Sequence, residues 1–394
     1  MKKYFLYILT TVVVMNINVM ANEPPSTGNG FIRTSGSKFI DGKGSEIVFK
    51  GGGQWIGAGW NDNTYAKLAS IGFNSVRLYL DAREATIANP ANLRGTTLAV
   101  IDNNIALAKQ HGMTIILNIH MTPGASGISD RGFFTNADRP QRLAAVWKAI
   151  AERYKDEPTI AGYDIINEPT VKVTPVVSPY RCDGTPYLDK FADYQKIIQD
   201  IVNAIREVDM NHVIIVERLW IDGGHYSFGI HDQRDCWQNY DGKYNFPDIN
   251  DPAGNYAYTY HCYEPNTWCH QESPAGSGRG RTAVYPSSAI ARYDEINPAT
   301  GQSWTYCKDY LAYAYSIPLN YIRNVKNVPA YIGEIGILPY NYDYGGAQYM
   351  ADLYDILLNK YQVSNSFHPY QTGEFHPAFN AKHEAAFRKA FGTN

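Results

Sequence analysis

The chain has 394 residues, and its 35 lysines and arginines nearly balance 38 aspartates and glutamates, giving a formal net charge of −3. This composition offers no strongly basic face that would neutralise phosphates, so we expect no nucleic-acid partner. The length does not require two domains, because α/β barrels run to about 400 residues as a single domain.

The amino terminus has the pattern of an export signal. Lys2 and Lys3 precede an apolar run at 4–14, and the small-residue pattern ends at Ala21. The run is shorter than the roughly 20 residues that a membrane-spanning helix needs. We therefore expect a signal peptide at 1–21, a flexible lead at 22–30 and one domain at 31–394. The mature protein would be secreted, in the extracellular space or the periplasm, and would not stay attached to a membrane.

Five cysteines would meet an oxidising environment in an exported protein. They permit two disulfides and one free thiol, and we expect Cys262 to be unpaired because it falls in a predicted strand. No pair has the C-x-x-C spacing that is typical of zinc or redox sites, so no metal is expected. The full set is Cys182, Cys236, Cys262, Cys269 and Cys307.

The predicted elements begin with a β-hairpin at 31–47, around an Asp41-Gly42 turn, which we expect to close the base of the following structure. Short apolar or β-branched runs then alternate with helical periodicity. The predicted strands are 48–55, 75–80, 114–120, 162–168, 212–219, 256–263, 329–336 and 364–370. The predicted helices are 63–70, 98–111, 139–154, 188–208, 304–325, 347–361 and 382–391.

Eight strand–helix units favour a closed (β/α)₈ TIM barrel over an open sheet. Continuous apolar runs at 115–117 and 213–216 indicate strands buried on both faces, as in a parallel sheet covered by helices. The connections at 171–187, 220–255 and 264–303 are long and should lie on the catalytic face. They can wall a cleft or block one end of it, which leaves endo or exo action open.

Ionisable residues concentrate where the predicted strands end, and burying such groups is costly unless they pair or carry out chemistry. Glu168 and Glu334 end the fourth and seventh strands and can face each other across the barrel mouth. Retaining glycoside cleavage uses such a pair, one a protonated acid and the other an ionised nucleophile about 5 Å away. The other ionisable or polar residues at these ends are Arg77, His120, Asn167, Glu217, His261 and Tyr263.

Supporting roles follow from these positions. We expect Arg77 and Tyr263 to donate to Glu334 and lower its pKa, and His261 to tune Glu168. Asp164 shares a strand face with Glu168 by period-two alternation, which favours a buried hydrogen-bonding role. For Glu217, a structural or substrate-contact role is preferred to that of a third acid.

The stretch Ile165-Ile166-Asn167-Glu168-Pro169 resembles the acid/base motif of glycoside hydrolase family 5, and Tyr331-Ile332-Gly333-Glu334 resembles its nucleophile strand. The resemblance extends to Arg77, His120 and the His-x-Tyr pattern of His261 and Tyr263, and it runs from about Phe31 to the end. It implies that Asn167 binds the sugar 2-hydroxyl, that His120 and His261 contact sugar or catalytic groups, and that Tyr263 bonds the nucleophile. It implies no cofactor.

The eighth strand departs from the family, whose members usually have a tryptophan at its end to stack against the sugar. Here the chain reads Ser366-Phe367-His368-Pro369-Tyr370, so Phe367, His368 or Tyr370 would have to replace that platform. Further candidates for sugar stacking are Trp55, Trp60, Trp220 and Trp268. For each tryptophan, simple packing in the core is the alternative.

Two classes of function follow. The first is a retaining glycosidase acting on a polysaccharide or oligosaccharide, with endo-β-1,4-glucanase preferred to β-mannanase, xyloglucanase or exo-acting β-glucosidase. The second is a carbohydrate-binding barrel without activity. Zinc-protease and α/β-hydrolase signatures are missing from the sequence: Phe387 stands where a zinc-protease helix beginning at His383-Glu384 needs a second histidine. We expect a monomer.

Overall fold

The computed structural model describes residues 30–127, 132–172, 185–222, 245–269, 283–291, 296–369 and 376–393. Eight parallel strands close into a barrel in chain order, and the ring closes where Asn365 of the eighth strand pairs with Lys50 of the first. The strands are Lys50–Trp55, Ser75–Asp81, Thr114–Met121, Ile160–Asp164, Val213–Glu217, Tyr256–His261, Ala330–Ile335 and Ser364–Phe367. The predicted (β/α)₈ barrel is confirmed.

The apolar strands are buried on both faces, as their composition predicts. In the third strand, Ile116 packs inside the barrel with Val213 and Tyr331, whereas Ile115 and Leu117 join the larger core beneath the helices. Alternation of side chains across a strand explains this division. The apolar residues therefore fill the barrel, and polar residues are left for its carboxyl end.

Helices cover the barrel where the 3.6-residue periodicity predicts them. They are Asp62–Ile71, Leu98–Gln110, Asp138–Tyr154, Thr185–Arg206, Lys308–Tyr321, Gly346–Tyr354 and Ala381–Phe391. The fifth and sixth of these continue as π-helical turns at Ile322–Lys326 and Asp355–Lys360. Asn61 and Asn380 cap the first and last helices through their side chains, as asparagine favours at this position. A short helix, Asn266–Cys269, follows the sixth strand.

A small antiparallel sheet precedes the barrel, with strands Gly30–Ser35, Lys38–Gly42 and Glu46–Ile47. The predicted hairpin around Asp41 is confirmed, because the turn after Asp41 joins the second and third strands, and the first strand pairs with the second to extend it. Phe39 packs against Phe49, with ring centroids 5.0 Å apart, and joins the cluster that fills the amino end of the barrel. The sheet closes the base, as predicted.

The described parts of the long connections contain short paired strands. Thr170–Lys172 pairs with Trp220–Asp222, Ser287–Ile290 with Thr305–Tyr306, and Ile296–Asn297 with Gln302–Ser303. The first pair joins the connections after the fourth and fifth barrel strands. None of the described helices combines the length and the apolar character needed to cross a membrane.

The described cysteines, Cys262, Cys269 and Cys307, are free thiols. The unpaired state of Cys262 agrees with the prediction. Two disulfides would need four paired cysteines, but three of the five are free, so the arrangement of two disulfides and one free thiol does not hold. Cys182 and Cys236 lie outside the described residues.

Candidate active site

Glu334 lies at the end of the seventh strand with both carboxylate oxygens held by donors. Arg77 Nη1 donates to Oε1 at 2.8 Å, and the Tyr263 hydroxyl donates to Oε2 at 2.7 Å. The Glu334 side chain is only 5% exposed. These contacts fix its orientation, and both donors are those predicted from the sequence.

Arg77 is fully buried in the second strand and contacts three partners with its guanidinium. Besides Glu334, its Nε donates to Asp164 Oδ2 at 2.7 Å, and Nη2 donates to Asn167 Oδ1 at 2.9 Å. The buried hydrogen-bonding role predicted for Asp164 is confirmed. A buried cation is tolerated when carboxylates compensate its charge, as Asp164 and Glu334 do here.

The charges around Glu334 favour its ionised form. Burial alone would raise its pKa, but the positive charge of His261, together with that of Arg77, outweighs burial and holds the pKa of Glu334 well below its usual value. Burial lowers the pKa values of His120 and His368, so these rings are neutral near neutral pH. His261 and Arg77 are therefore the cations that act on Glu334.

Glu168 follows the fourth strand in an uncommon backbone conformation, with φ of 43°. Residues with a side chain rarely adopt this left-handed region, so it needs support from neighbouring groups. The Glu168 amide donates to Glu217 Oε2 at 2.8 Å, and the Thr170 hydroxyl donates to the Glu168 carbonyl at 2.9 Å. The Glu168 side chain is 20% exposed, so it is more accessible than that of Glu334.

His261 lies between the two glutamates. Its Nδ1 is 2.9 Å from Glu168 Oε1 and 3.5 Å from Glu334 Oε2. Burial alone would lower the pKa of His261, but Glu217, Glu334 and Glu168 raise it to about 9. The protonated ring therefore donates its Nδ1–H to Glu168, which agrees with the predicted contact between them.

Glu168, His261 and Glu334 also form the kind of cluster that can hold a metal ion, since one ligand atom from each lies within 4.8 Å of the others. A histidine ligand must offer an unprotonated nitrogen. Because the pKa of His261 is raised to about 9, its Nδ1 carries hydrogen at neutral pH. The donor set therefore fits proton chemistry better than metal binding.

His120 and His368 stand at the mouth with parallel rings, 6.2 Å apart between centroids and 3° apart in orientation. The Tyr79 hydroxyl is 2.9 Å from His368 Nδ1, and half-buried Trp55 packs edge-on against His120 at 4.7 Å. The structure thus brings His120, His368 and Trp55 to the site. Sequence reasoning missed Tyr79, although its position two residues after Arg77 places both on the same strand face.

Two predicted sugar platforms are wrong because their rings are entirely buried. Trp268 packs against Tyr285 and Tyr349 in the core. Phe367 points outward from the barrel and packs against Phe387 of the last helix. The alternation of side chains along the eighth strand explains why Phe367 and the neighbouring His368 face opposite ways.

Two other tryptophans are also held by protein contacts rather than presented to a cleft. Trp60 is buried against Tyr65 and His376. Trp220 is buried, its indole nitrogen donates to Glu217 Oε1 at 2.7 Å, and the Arg218 guanidinium lies 4.1 Å from its ring centroid. The predictions of sugar stacking for both are corrected to packing and support. Tyr370 lies outside the described residues.

Known proteins with similar sequences include endoglucanases. The family model described as Cellulase (glycosyl hydrolase family 5) matches residues 37–370. An endoglucanase of Paenibacillus polymyxa is 28% identical over 291 residues, covering 67% of this chain and 68% of that protein. Endoglucanase C of Acetivibrio thermocellus is 23% identical over 331 residues, covering 78% and 83%.

Solved structures with low sequence identity share the fold. Thermotoga maritima Cel5A in complex with cellobiose has a TM-score of 0.58 at 18% identity, covering 86% of this chain and 97% of that one. A complex of the same enzyme with mannotriose gives a TM-score of 0.57 at 18% identity, covering 84% and 90%. Because the family model matches well over half of the chain, this protein belongs to glycosyl hydrolase family 5.

Proposed function

We propose that this glycoside hydrolase is a retaining endo-β-1,4-glucanase, with Glu334 as nucleophile and Glu168 as general acid/base. The observation that carries the proposal is the separation of the two carboxyl groups, whose oxygens approach within 4.8 Å. Retaining enzymes place this pair about 5–5.5 Å apart, whereas inverting enzymes leave roughly 6.5–9.5 Å for a water molecule. The short separation supports direct attack by a glutamate.

The environments of the two glutamates support different roles. Arg77 and Tyr263 hold Glu334 as an oriented carboxylate that can attack the anomeric carbon and form a glycosyl ester. Glu168, on the more exposed side, donates a proton to the leaving oxygen. It then removes a proton from the water that hydrolyses the ester, returning both groups to their starting state.

The sugar is proposed from the relatives. The endoglucanases support a β-1,4-glucan, and the mannotriose complex of Cel5A keeps β-mannanase as the second candidate. Xyloglucanase and exo-acting β-glucosidase use the same reaction and are the remaining alternatives. The described site favours none of them by itself, because its contacts surround the reacting carbon rather than the hydroxyls that distinguish the sugars.

The first experiment measures product release from carboxymethylcellulose, barley β-glucan, xyloglucan, glucomannan, galactomannan and xylan. We expect activity on the glucans, with viscosity falling faster than reducing ends appear. Glu334→Gln and Glu168→Gln should each lower turnover at least about 10³-fold while oligosaccharide still binds. Binding by the wild type without turnover on any substrate would instead support the carbohydrate-binding barrel.

The stereochemistry gives a second, independent test. In a retaining reaction, the first product seen by proton NMR has the β-configuration and mutarotates only later. A fluorinated glycoside that slows ester hydrolysis should label Glu334 and leave Glu168 unmodified. An α-configured first product, or labelling of Glu168, would contradict the assigned roles.

We also propose export through the signal at 1–21 and a monomeric mature protein, both from sequence alone. Residues 1–29 lie outside the described residues. Protein recovered from the medium or the periplasm should begin near Asn22 and elute at the size of one chain. Full-length protein retained in the cytoplasm would contradict the export proposal.

A further inference from the structure

Glu217 is a buried carboxylate that the two-glutamate mechanism does not use. It ends the fifth strand with no exposed surface. Its Oε2 accepts the Glu168 amide hydrogen at 2.8 Å, and its Oε1 accepts the Trp220 indole hydrogen at 2.7 Å. The Tyr194 hydroxyl donates to its backbone carbonyl. Two hydrogen bonds to its carboxylate and one to its backbone hold Glu217 in place, so it is more than a chance polar residue in a core.

Glu217 also faces the far side of His261. His261 Nε2 lies 3.5 Å from Glu217 Oε2, while Nδ1 lies 2.9 Å from Glu168 Oε1. The imidazole is thus placed between two glutamates, with the third, Glu334, beside it. Other ionisable groups whose charges interact with Glu217 or His261 are His120, Asp164, Arg218 and His368.

We propose that Glu217 is a positioning residue. It holds the acid/base Glu168 by accepting a hydrogen bond from the Glu168 backbone amide, and it keeps the His261 ring doubly protonated between Glu168 and Glu217. The inference rests on the proposed function, because it assigns Glu217 to the support of the glycosidase acid/base.

The hydrogen bond from the Glu168 amide to Glu217 stabilises an uncommon backbone conformation. Glu168 occupies the left-handed region at φ of 43°, and its amide points at Glu217 as a result. A charged acceptor bonds an amide more strongly than a neutral one, so it stabilises this conformation. Loss of the contact would let the Glu168 side chain move away from the nucleophile, and small misplacements of a catalytic group are costly.

The charge contact acts on the protonation of His261. A negative group beside Nε2 favours a hydrogen there, so that Nδ1 can carry the other hydrogen towards Glu168. Burial raises the pKa of Glu217 to about 7, while Glu217 is the strongest of the charges that raise the pKa of His261 to about 9. Three glutamates around one imidazole titrate as a unit rather than singly.

Glu217→Gln tests the inference, because glutamine keeps an oxygen acceptor of the same length and removes the charge. With one negative charge gone, the cluster releases its proton more easily. The alkaline limb of kcat/KM should therefore move to lower pH by about one unit. The loss of kcat/KM should be about 10- to 100-fold on phenyl β-cellobioside, whose leaving group needs a proton, and small on dinitrophenyl β-cellobioside, whose leaving group does not.

Asp209→Asn is a matched control. Asp209 is another buried carboxylate, and it lies 2.6 Å from His212 Nδ1 just before the fifth strand, at the opposite end of the barrel. This variant should lose stability without changing the pH limb or the leaving-group dependence. An unchanged limb in Glu217→Gln, with equal losses on both aryl glycosides, would assign Glu217 a purely structural role and overturn the inference.

A measurement on the unmodified protein does not depend on how the variants fold. NMR of the ring nitrogens in nitrogen-labelled protein, assigned by the loss of signal in His261→Asn, should show a doubly protonated His261 near neutral pH. A neutral ring there would overturn the inference without touching the proposed function. Inactivity on every polysaccharide would overturn the proposed function, while the NMR result would still decide the state of His261.

Discussion

At the scale of single residues, Arg77 links both glutamates of the site. Its guanidinium contacts Glu334 directly and also contacts Asn167, the residue before the proposed acid/base Glu168. Asp164 balances part of its charge from inside the barrel. Removing Arg77 should therefore alter both the electrostatics of Glu334 and the position of the neighbouring strand end.

We predict that Arg77→Met raises the pKa of Glu334, because it removes a cation that now opposes the effect of burial. The nucleophile works only when ionised, so the acidic limb of kcat/KM should move to higher pH. Two buried carboxylates would lose their partner, which should lower the free energy of unfolding by about 3–5 kcal/mol. A pH profile and a urea titration measure the two effects.

Arg206→Met is the control for this prediction. Arg206 is also buried, and it pairs with Asp251 at 2.7 Å, remote from the two glutamates. It should lose stability to a similar extent and keep the acidic limb of the wild type. Equal pH profiles for the two variants and the wild type would contradict the role of Arg77 at Glu334.

At the scale of elements, the first barrel strand contains Gly51, Gly52 and Gly53, and close packing favours glycine there. The structure gives the reason at Gly53, where an added Cβ would lie 1.8 Å from the Tyr79 hydroxyl of the second strand. That hydroxyl is 2.9 Å from His368 Nδ1. A missing side chain in one strand thus makes room for a contact between two others.

Gly53→Ala should push Tyr79 out of place and disturb His368 with it. We expect a loss of about 1–3 kcal/mol in stability from overpacking. We also expect KM for the preferred glucan to rise, because His120 and His368 would no longer form a parallel pair. Gly57→Ala is the control, since its nearest neighbour would be the Gly95 carbonyl at 3.7 Å. A KM that stays at the wild-type value in Gly53→Ala would contradict the link.

At the scale of the whole molecule, the layer outside the barrel contains two buried histidines near the junction of the first and eighth strands. His376 lies beneath the first strand beside Trp60, and His383 belongs to the last helix and contacts Tyr342. Burial lowers the pKa of each to about 3. The folded protein therefore keeps them neutral over a pH range in which the unfolded chain binds protons, since free histidine has a pKa of about 6.5.

This difference makes stability fall as the solution becomes acidic. Below about pH 6.5 these histidines bind protons in the unfolded state but not in the folded state. Each histidine therefore lowers the free energy of unfolding by up to about 1.4 kcal/mol per pH unit, until about pH 3. His383→Asn should be less stable than the wild type near neutral pH but should lose less on acidification. Urea titrations at several pH values measure the two slopes, and identical slopes would contradict the prediction.

The sequence by itself determined the barrel and its two glutamates. Strands such as Thr114–Met121 are largely apolar runs, and helices such as Asp138–Tyr154 have a clear helical periodicity. Both kinds of element can therefore be predicted from the local sequence pattern. Asn167-Glu168-Pro169 and the segment ending in Glu334 locate the two proposed catalytic glutamates within a few residues. Position at a strand end then places them at one face, because parallel barrel strands end together.

The partners of those groups were decided only by the tertiary structure. Glu217 meets Glu168 across 49 residues of chain, and Tyr79 meets His368 across 289, which no local pattern reveals. Trp268 is buried in the core while Trp55 reaches the site, although both are tryptophans near strand ends. Burial and facing direction depend on what packs over a residue, and that is a property of the assembled barrel rather than of its neighbours in sequence.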